Sequence, residues 1–319
     1  MSMSSPLEHQ RLLYKIAQSY YLENLTQNDI GHRFGLSRIK VSRLLKQARE
    51  SQIVNITLNP PPNTLTDLER SLEKAYGLEE VRIVMTEHEY VDPVSLELAP
   101  AAAECLLRRL NGDEIVGVTW GKTIMSVINA LPQHPMPNVR IVQITGGLGL
   151  VVTLEHSTEL ARRMAGKLSA ALHLIPAPGV ATDRHSAEIL RNDKTIRETL
   201  TLAAKADIAI LGIGRLAPDT FLMQDGSVIT QDDFDKLTRA GAVGDIALRY
   251  LDYKGRSIND EFDGRIIGLT LDELRQIPCV IGVSGGKEKH PVIQAALKSN
   301  VLDVLITDHH TGQFLIENQ

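Results

Sequence analysis

Five basic side chains fall within one short stretch of the chain, with no acidic residue among them. They are Arg38, Lys40, Arg43, Lys46 and Arg49. Basic side chains at this density can bind the phosphates of a nucleic acid, because duplex DNA carries a dense line of negative charge. The major groove of that duplex admits a single helix. If the stretch is helical, it therefore predicts a DNA-contacting surface.

The residues around the basic stretch predict a helix-turn-helix. Thr26 and Ser37 are good N-caps for two short helices, and Gly35 breaks the first of them. The second helix has an apolar face at helical spacing, formed by Val41, Leu44, Leu45 and Ala48. In such a motif the first turns of the second helix reach base edges. We expect base contacts from Ser37, Arg38, Ile39, Ser42 and Arg43, and phosphate contacts from Gln27, Lys40 and Lys46.

A second set of candidate residues lies in loops that follow short apolar segments after residue 79. These loops contain glycine or proline and cover residues 119–123, 145–147, 176–179, 212–214 and 284–287. Ligands of open α/β sheets bind at the carboxyl ends of strands. Glycine in such loops lets backbone N–H groups converge on an anion. The sequence therefore predicts an anion site at one edge of a sheet.

The segment GVTWGKT at 117–123 looks like a nucleotide-binding loop, but only three residues separate its glycines where that motif has four. We expect a phosphate cradle from the Gly121–Thr123 amides and the Thr123 hydroxyl, and no nucleotide hydrolysis. The segment 212–217 is only a weak match to a dinucleotide fingerprint, because Pro218 follows where a helix should continue.

Three charged residues in other glycine-containing segments are candidate ligand contacts. Lys287 and Lys289 begin a predicted helix, where the helix dipole disfavours a cation unless an anion is bound. The alternative is that both are solvated surface lysines. Asp245 lies in an apolar segment, so its carboxylate needs a hydrogen-bond donor. Hydroxyl groups of a polyol would supply donors; the alternative is that Asp245 is a structural cap.

Length and charge bound the possible classes of protein. The 319 residues suffice for two domains; residues 1–58 hold eight Lys and Arg against four Asp and Glu, and the remainder holds 26 against 35. A basic end on an acidic body predicts local anion binding.

With only Cys105 and Cys279, and histidines without metal-ligand spacing, we predict no disulfide, metal or cofactor. Lacking a signal-peptide pattern and any apolar run of 18 residues, the chain is expected to be cytoplasmic, without a membrane partner.

The N-terminal part is predicted to be an all-α helix-turn-helix domain over residues 1–58. A further helix packs behind the motif, and the alternating segment IVNITL at 53–58 predicts a strand. Asn59 and three prolines form a linker. Residues 65–75 then predict a short helix with a leucine seam. That helix either pairs with its copy or packs on its own domain, and we assign 59–78 to the linker and an oligomerisation helix.

Residues 79–319 are predicted to form a second, larger domain. Seven apolar segments predict buried strands, at 81–85, 114–119, 139–145, 171–176, 207–214, 279–284 and 301–307. Helical patterns separate most of them, at 95–110, 122–131, 154–169, 187–206, 289–298 and 308–317. This alternation predicts a doubly wound, largely parallel α/β sheet that is covered on both faces.

Taken together, these segments resemble the SorC family of bacterial sugar-responsive transcriptional regulators across nearly the whole chain. The resemblance rests on residues 25–48, GVTWGKT (117–123), ITGG (144–147), IPAP (175–178), LGIG (211–214), GAVGDI (241–246), GVSGGKEK (282–289) and VLITD (304–308). It implies an effector domain similar to the ribose-5-phosphate isomerase and glucosamine-6-phosphate deaminase superfamily. It also implies a homodimer or homotetramer, double-stranded operator DNA, and a phosphorylated sugar or sugar-alcohol effector. Within the family, the resemblance is to the repressor branch that senses phosphorylated autoinducer-2.

The same resemblance implies which residues lie near the effector. They are Trp120, Gly121, Lys122, Thr123, Gly146, Gly147, Asp245 and Lys289. Asp245 matches the family's acidic contact with ligand hydroxyls, and Lys289 matches its phosphate-binding lysine. Trp120 stands where a relative has a smaller aromatic residue.

Gly31, in the helix-turn-helix, stands where most such units have alanine. Glycine at this position should cost about 1 kcal/mol of helix propensity.

The sequence favours a regulator, and among regulators it favours a repressor over an activator. The alternative is an enzyme. A sugar-phosphate isomerase or deaminase needs a general base over the substrate carbon and an acid partner. Asp245 and Asp183 are the candidate acids near the glycine loops, and they do not make a convincing pair. A protein-interaction module would leave the convergent glycine loops unexplained. We therefore expect a regulator and no enzyme.

Overall fold

The computed structural model describes residues 6–59, 65–147, 158–220, 222–223, 228–258 and 261–318. Its packing divides the chain into two compact units, Met1–Thr64 and Leu65–Gln319. The three prolines of the predicted linker, and residues 154–157 of one predicted helix, lie outside the described residues. None of the helices in the described ranges combines the length and the hydropathy that crossing a bilayer requires.

The first unit contains three helices around one small core. They are α1 (Pro6–Tyr21), α2 (Gln27–Phe34) and α3 (Arg38–Glu50). Ile16, Ile30 and Val41, one from each helix, are completely buried in that core. The predicted strand over 53–58 is wrong: Ile53 packs on the helices, and no described strand in this unit could pair with the segment. Alternation alone predicted it, but a strand needs a hydrogen-bonding neighbour.

The second unit is built on a sheet of nine strands. They are β1 (Glu80–Val84), β2 (Ile115–Val118), β3 (Arg140–Gln143), β4 (Ala171–His173), β5 (Ile208–Arg215), β6 (Ala242–Ile246), β7 (Arg249–Asp252), β8 (Cys279–Val283) and β9 (Val304–Asp308). Seven of these strands form a parallel sheet in the order β1-β9-β8-β5-β2-β3-β4, and β6 and β7 extend it as an antiparallel hairpin on β5. The seven predicted strands are those of the parallel part.

Eleven helices accompany these strands in the described part of the second unit. They are α4 (Thr66–Tyr76), α5 (Val91–Arg109), α6 (Lys122–Ala130), α7 (Thr158–Leu168), α8 (Arg184–Asn192), α9 (Lys194–Ala203), α10 (Gln231–Arg239), α11 (Glu261–Gly264), α12 (Leu271–Leu274), α13 (His290–Lys298) and α14 (His309–Glu317). Two large apolar clusters contain α5, α6 and α7 in one and α4, α9, α13 and α14 in the other. The sheet is therefore covered on both faces, as its apolar strands predict.

Helix α4 packs on its own domain. Leu72 is completely buried in the core of the second unit. The Glu69 carboxylate accepts a hydrogen bond from the Ile83 amide at 2.8 Å, and the Glu73 carboxylate accepts one from the Val81 amide at 3.1 Å. These contacts hold α4 against the edge strand β1. Of the two alternatives for residues 65–75, the structure shows packing on the same chain; pairing with a copy stays a prediction.

Candidate functional site

A cavity of about 400 Å³ lies at the carboxyl ends of strands β2, β3, β5 and β6. Strand β5 with the segment after it, the loops after β2 and β8, and the hairpin β6–β7 supply most of its walls. Six of the predicted effector residues line it: Trp120, Gly121, Lys122, Thr123, Asp245 and Lys289. The convergence of glycine loops at one edge of the sheet therefore places these residues around a single space.

The loop after β2 brings a glycine-initiated helix to the cavity. Gly121 has φ 129°, a conformation that favours glycine, and α6 begins at the next residue. Gly121, the N-cap residue, has no side chain, so the N–H groups of the first turn depend on partners outside the helix. Buried Thr123 and Ser95 of α5 are hydrogen-bonded through their hydroxyls at 3.1 Å. This end of α6 can accept an anionic group.

Trp120 is fixed against the neighbouring loop. Its indole N–H donates to the Gly146 carbonyl at 3.1 Å, and its half-buried ring packs against two apolar clusters. Gly146 and Gly147 do not themselves line the cavity. Their amides donate to the carbonyls of Ile267 (2.8 Å) and Ala177 (2.9 Å). Their N–H groups are therefore used by the backbone, and the Gly146 carbonyl supports Trp120; the expected position of both glycines near the ligand stays a prediction.

Asp245 is a buried carboxyl group on the wall of the cavity. It lies on β6 opposite Gly214, where a Cβ atom would stand 2.2 Å from the Asp245 Oδ1 atom. Oδ2 accepts a hydrogen bond from the Leu248 amide at 2.9 Å, whereas Oδ1 has no partner among the described residues. Burial raises the pKa of Asp245 to about 6, although the Leu248 hydrogen bond and the charge of Lys289 act in the opposite direction.

Of the two lysines predicted near one helix, only Lys289 is part of the cavity. It is buried at the end of a 3₁₀ turn, Lys287–Lys289, whereas Lys287 is exposed. Asp308 holds the preceding loop, since its Oδ2 atom accepts from the Gly286 amide at 2.8 Å. The same carboxylate caps α14 by accepting from the Thr311 amide and hydroxyl at 2.9 and 2.6 Å. Asp308 therefore positions Lys289 without lining the cavity.

Several lining residues were missed by the sequence predictions. They include Tyr90, Ser95, Thr119, Thr145, Arg215, Asp219 and Glu288. Arg215 is paired with Asp219 at 2.7 Å. Thr119 and Thr145 are the first residues of two of the predicted glycine loops, and Arg215 directly follows a third, so these positions could have revealed them. Ser95 comes from the interior of α5, and no local pattern marks it.

The two acids of the enzyme alternative are not brought together. Asp183 is the N-cap of α8, where it accepts a hydrogen bond from the Ser186 amide at 2.7 Å, and that bond lowers its pKa. It is not among the residues that line the cavity. The pair considered from the sequence is therefore not an acid–base pair in the fold.

The predicted helix-turn-helix forms in the first unit. Thr26 and Asp29 make a reciprocal capping box at the start of α2, Gly35 ends that helix with φ 66°, and Ser37 caps α3 by accepting from the Lys40 amide. Seven of the predicted DNA contacts are exposed: Ser37, Arg38, Ile39, Lys40, Ser42, Arg43 and Lys46. Gln27 is half-buried at the start of α2. The apolar Ile39 is 68% exposed, which suits contact with bases.

Comparison with known proteins identifies both units. Residues 61–317 match the Sugar-bind family, a sugar-binding domain, and residues 15–51 match region 4 of sigma-70. The transcriptional regulator LsrR from Enterobacter sp. (strain 638) is 34% identical, over 97% of this chain and 94% of its own.

Solved structures agree. The full-length sorbitol operon regulator SorC from Klebsiella pneumoniae superposes with a TM-score of 0.73 at 28% identity, covering 97% of this chain and 99% of that one. A sugar-binding domain of a transcriptional repressor from Vibrio fischeri gives a TM-score of 0.72 at 26% identity, covering 79% of this chain and 98% of that one. These relatives are named as regulators and not as enzymes. The chain therefore belongs to the SorC family of sugar-binding transcriptional regulators, with a helix-turn-helix for DNA and an α/β domain for the sugar.

Proposed function

We propose that this regulator is a cytoplasmic repressor whose operator binding is controlled by a phosphorylated sugar or sugar alcohol. The observation that carries the proposal is the combination of polar groups in one cavity. Buried Lys289 and the uncapped start of α6 suit a phosphate, while the Asp245 carboxylate suits sugar hydroxyls. The relatives named as a sorbitol operon regulator and as a transcriptional repressor support the sugar alcohol and the repressor role.

The proposal includes a homodimer or homotetramer. One α3 helix offers few base-reading side chains, and paired helix-turn-helix units read half-sites about 34 Å apart. The proposed effector acts by changing the spacing of two such units. Sedimentation of the protein with and without effector measures the assembly directly. A monomer that binds one half-site with full affinity would contradict this part of the proposal.

Lys289→Ala tests the proposed effector site, and Lys287→Ala is its matched control. Thermal-shift screening of sugar phosphates and alditol phosphates first identifies a ligand, and operator binding is then measured with and without it. We expect Lys289→Ala to keep operator binding and lose the effector response. Lys287→Ala should keep both, because Lys287 is exposed outside the cavity. Conversion of any of these compounds to product would instead favour an enzyme.

Arg38→Ala tests the DNA contacts proposed for α3. If Arg38 reads a base edge, the variant should lose about 1–3 kcal/mol on the operator and relax the preference at one base position. Lys46→Gln, a proposed phosphate contact, should weaken operator and random DNA alike and reduce the salt slope by about 1. Equal losses of Arg38→Ala on operator and random duplex would exclude base reading by Arg38.

A further inference from the structure

Two buried threonines line the same cavity, and neither hydroxyl has a hydrogen-bond partner among the described residues. Among the described residues, the buried side-chain atoms that lack a hydrogen bond include Thr119 Oγ1, Thr145 Oγ1 and Asp245 Oδ1. All three residues line the cavity, and Thr119 and Thr145 are 6% and 1% exposed. Buried polar groups in folded proteins are almost always hydrogen-bonded, so three exceptions around one space indicate partners that arrive with a ligand.

The topology places these atoms along adjacent strand ends. Thr119 directly follows β2, Thr145 lies two residues beyond β3, and Asp245 is on β6, which pairs with β5. Strand β2 lies between β3 and β5, and β8, which leads to Lys289, is on the other side of β5. Lys289 and the two threonines are therefore at opposite ends of this row, with Asp245 between them. A ligand held at Lys289 would extend its carbon chain toward the threonines.

Building on the proposed phosphosugar effector, we propose that Thr119 and Thr145 determine specificity by hydrogen bonding to hydroxyl groups of the sugar. A hydroxyl can donate to or accept from a second hydroxyl, and rotation about the Cβ–Oγ1 bond turns its hydrogen without moving the rest of the side chain. Sites built to bind a hydroxyl discriminate strongly against analogues that lack it, because the protein group is then left unpaired. The cavity thus selects a hydroxylated sugar over its deoxy counterpart.

Threonine-to-valine variants separate this role from a structural one. Valine has nearly the shape of threonine but no hydroxyl, so it removes an unpaired buried group from the free protein. Thr119→Val and Thr145→Val should therefore keep or raise the melting temperature of the free protein while they weaken effector binding. A structural hydroxyl would behave in the opposite way. Thr307→Val is the matched control. Thr307 is also buried and its hydroxyl likewise has no partner among the described residues, but it lies on β9 and does not line the cavity.

The experiment uses the full chain and matched pairs of ligands. The probes are ribose 5-phosphate with 2-deoxyribose 5-phosphate, glucose 6-phosphate with 2-deoxyglucose 6-phosphate, and glucitol 6-phosphate. Trp120 is the only tryptophan of the chain and lines the cavity, so its fluorescence reports binding. We expect one or both valine variants to lose about tenfold in affinity for a hydroxylated probe and to lose selectivity over the deoxy partner. Thr307→Val should bind every probe as the wild type does.

The outcomes separate this inference from the proposed function. If no probe or other sugar phosphate binds the wild type, the proposed function fails and the specificity role fails with it. If the wild type binds but both valine variants keep the same affinity ratios, only the specificity role is overturned. Valine variants that do not fold would show the hydroxyls to be structural and would overturn it as well. Thr119→Ser and Thr145→Ser, which keep the hydroxyl, should retain the wild-type selectivity. A loss of selectivity in these serine variants would also overturn the specificity role.

Discussion

At the scale of single residues, Asp245 combines a structural cost with a proposed binding role. Its carboxyl group is buried, one oxygen is unpaired among the described residues, and Gly214 leaves the space that this oxygen occupies. Ionising such a group is unfavourable until a ligand donor reaches it. The same features that destabilise the free protein therefore make Asp245 a strong acceptor for a sugar hydroxyl.

Asp245→Asn should make the protein less sensitive to pH. Burial raises the pKa of Asp245 from 3.8 to about 6, so between these values the folded chain binds the proton more tightly than the unfolded chain. The Asp245 contribution to stability is complete below this window and is lost as the pH rises through it, by about 3 kcal/mol. Urea unfolding at pH 4 and pH 7 should show a stability difference between variant and wild type that grows with pH in favour of the variant. A difference independent of pH would contradict the buried-carboxyl interpretation.

Asp308 is a residue that acts on the cavity through the backbone. The completely buried carboxylate accepts three hydrogen bonds, from the Gly286 amide and from the amide and hydroxyl of Thr311. In Asp308→Asn, an NH₂ group would replace one carboxylate oxygen. That group cannot accept a hydrogen bond, so at least one of these donors would lose its acceptor. We expect about 3 kcal/mol lower stability and weaker effector binding, because the loop before Lys289 loses its anchor. Chemical denaturation and calorimetric titration measure both effects.

The control for this variant is Asp272→Asn. Asp272 pairs with Arg275 on the surface, and its side chain is 91% exposed, so its removal should change neither stability nor effector binding appreciably. If Asp308→Asn behaved like this control, the Asp308 carboxylate would not be positioning the loop.

At the scale of elements, apolar runs predicted the parallel sheet because strands buried on both faces admit few polar residues. The hairpin β6–β7 did not follow from the same signal. Ala242–Ile246 contains Gly244 and Asp245, and its pairing with β5 and β7 makes it a strand. The pattern over 187–206 predicted one helix, but the Asp193 side chain caps a new helix at that point by accepting from the Thr195 and Ile196 amides. A cap in the middle of an apolar stripe does not change the local periodicity, so the pattern alone does not reveal it.

The glycine loops gave the position of the cavity but not the use of each residue. Gly146 and Gly147 looked equivalent to Gly121 in sequence. Their amides are consumed by neighbouring loops, whereas Gly121 starts a helix at the cavity. The carbonyls that accept from these amides belong to Ala177 and Ile267, which are far from both glycines in the sequence. The difference is a property of tertiary packing, which a local motif does not encode.

Gly31→Ala tests the tight turn of the helix-turn-helix. Helix propensity alone favours alanine by about 1 kcal/mol. In the structure a Cβ on Gly31 would lie 2.6 Å from the Leu36 carbonyl oxygen, while the Leu36 amide donates to the Gly31 carbonyl at 2.8 Å. The variant should therefore destabilise the first unit by about 1–3 kcal/mol and weaken operator binding. Thermal unfolding and an operator titration provide the measurements.

Gly166→Ala is the matched control for this prediction. Gly166 lies in α7 and is exposed, and a Cβ there would meet no atom of the described residues within 4 Å. Alanine at this position should stabilise the protein by up to about 1 kcal/mol. If both variants were stabilising, the close approach at Gly31 would be relieved by a shift of the turn, and its glycine would not be required.

At the scale of the whole molecule, charge and function are divided between the two units. Residues 1–58 hold eight basic and four acidic side chains, and the rest of the chain holds 26 and 35. Attraction to DNA is thus concentrated on the helix-turn-helix, and the sugar-binding domain repels the duplex on average. An effector in the cavity can then control DNA binding only by biasing an equilibrium that involves both units, since the cavity belongs entirely to the second.

Such coupling has a consequence that can be measured in both directions. If the effector weakens operator binding by a given factor, operator DNA must weaken effector binding by the same factor, typically about 5- to 150-fold. Titration of the effector into free protein and into operator-saturated protein should therefore give dissociation constants in that ratio. A random duplex at the same salt concentration is the control, because it engages the basic surface without the specific complex. Equal effector affinity on and off the operator would contradict effector control, and unequal factors in the two directions would show that the assembly itself changes during the cycle.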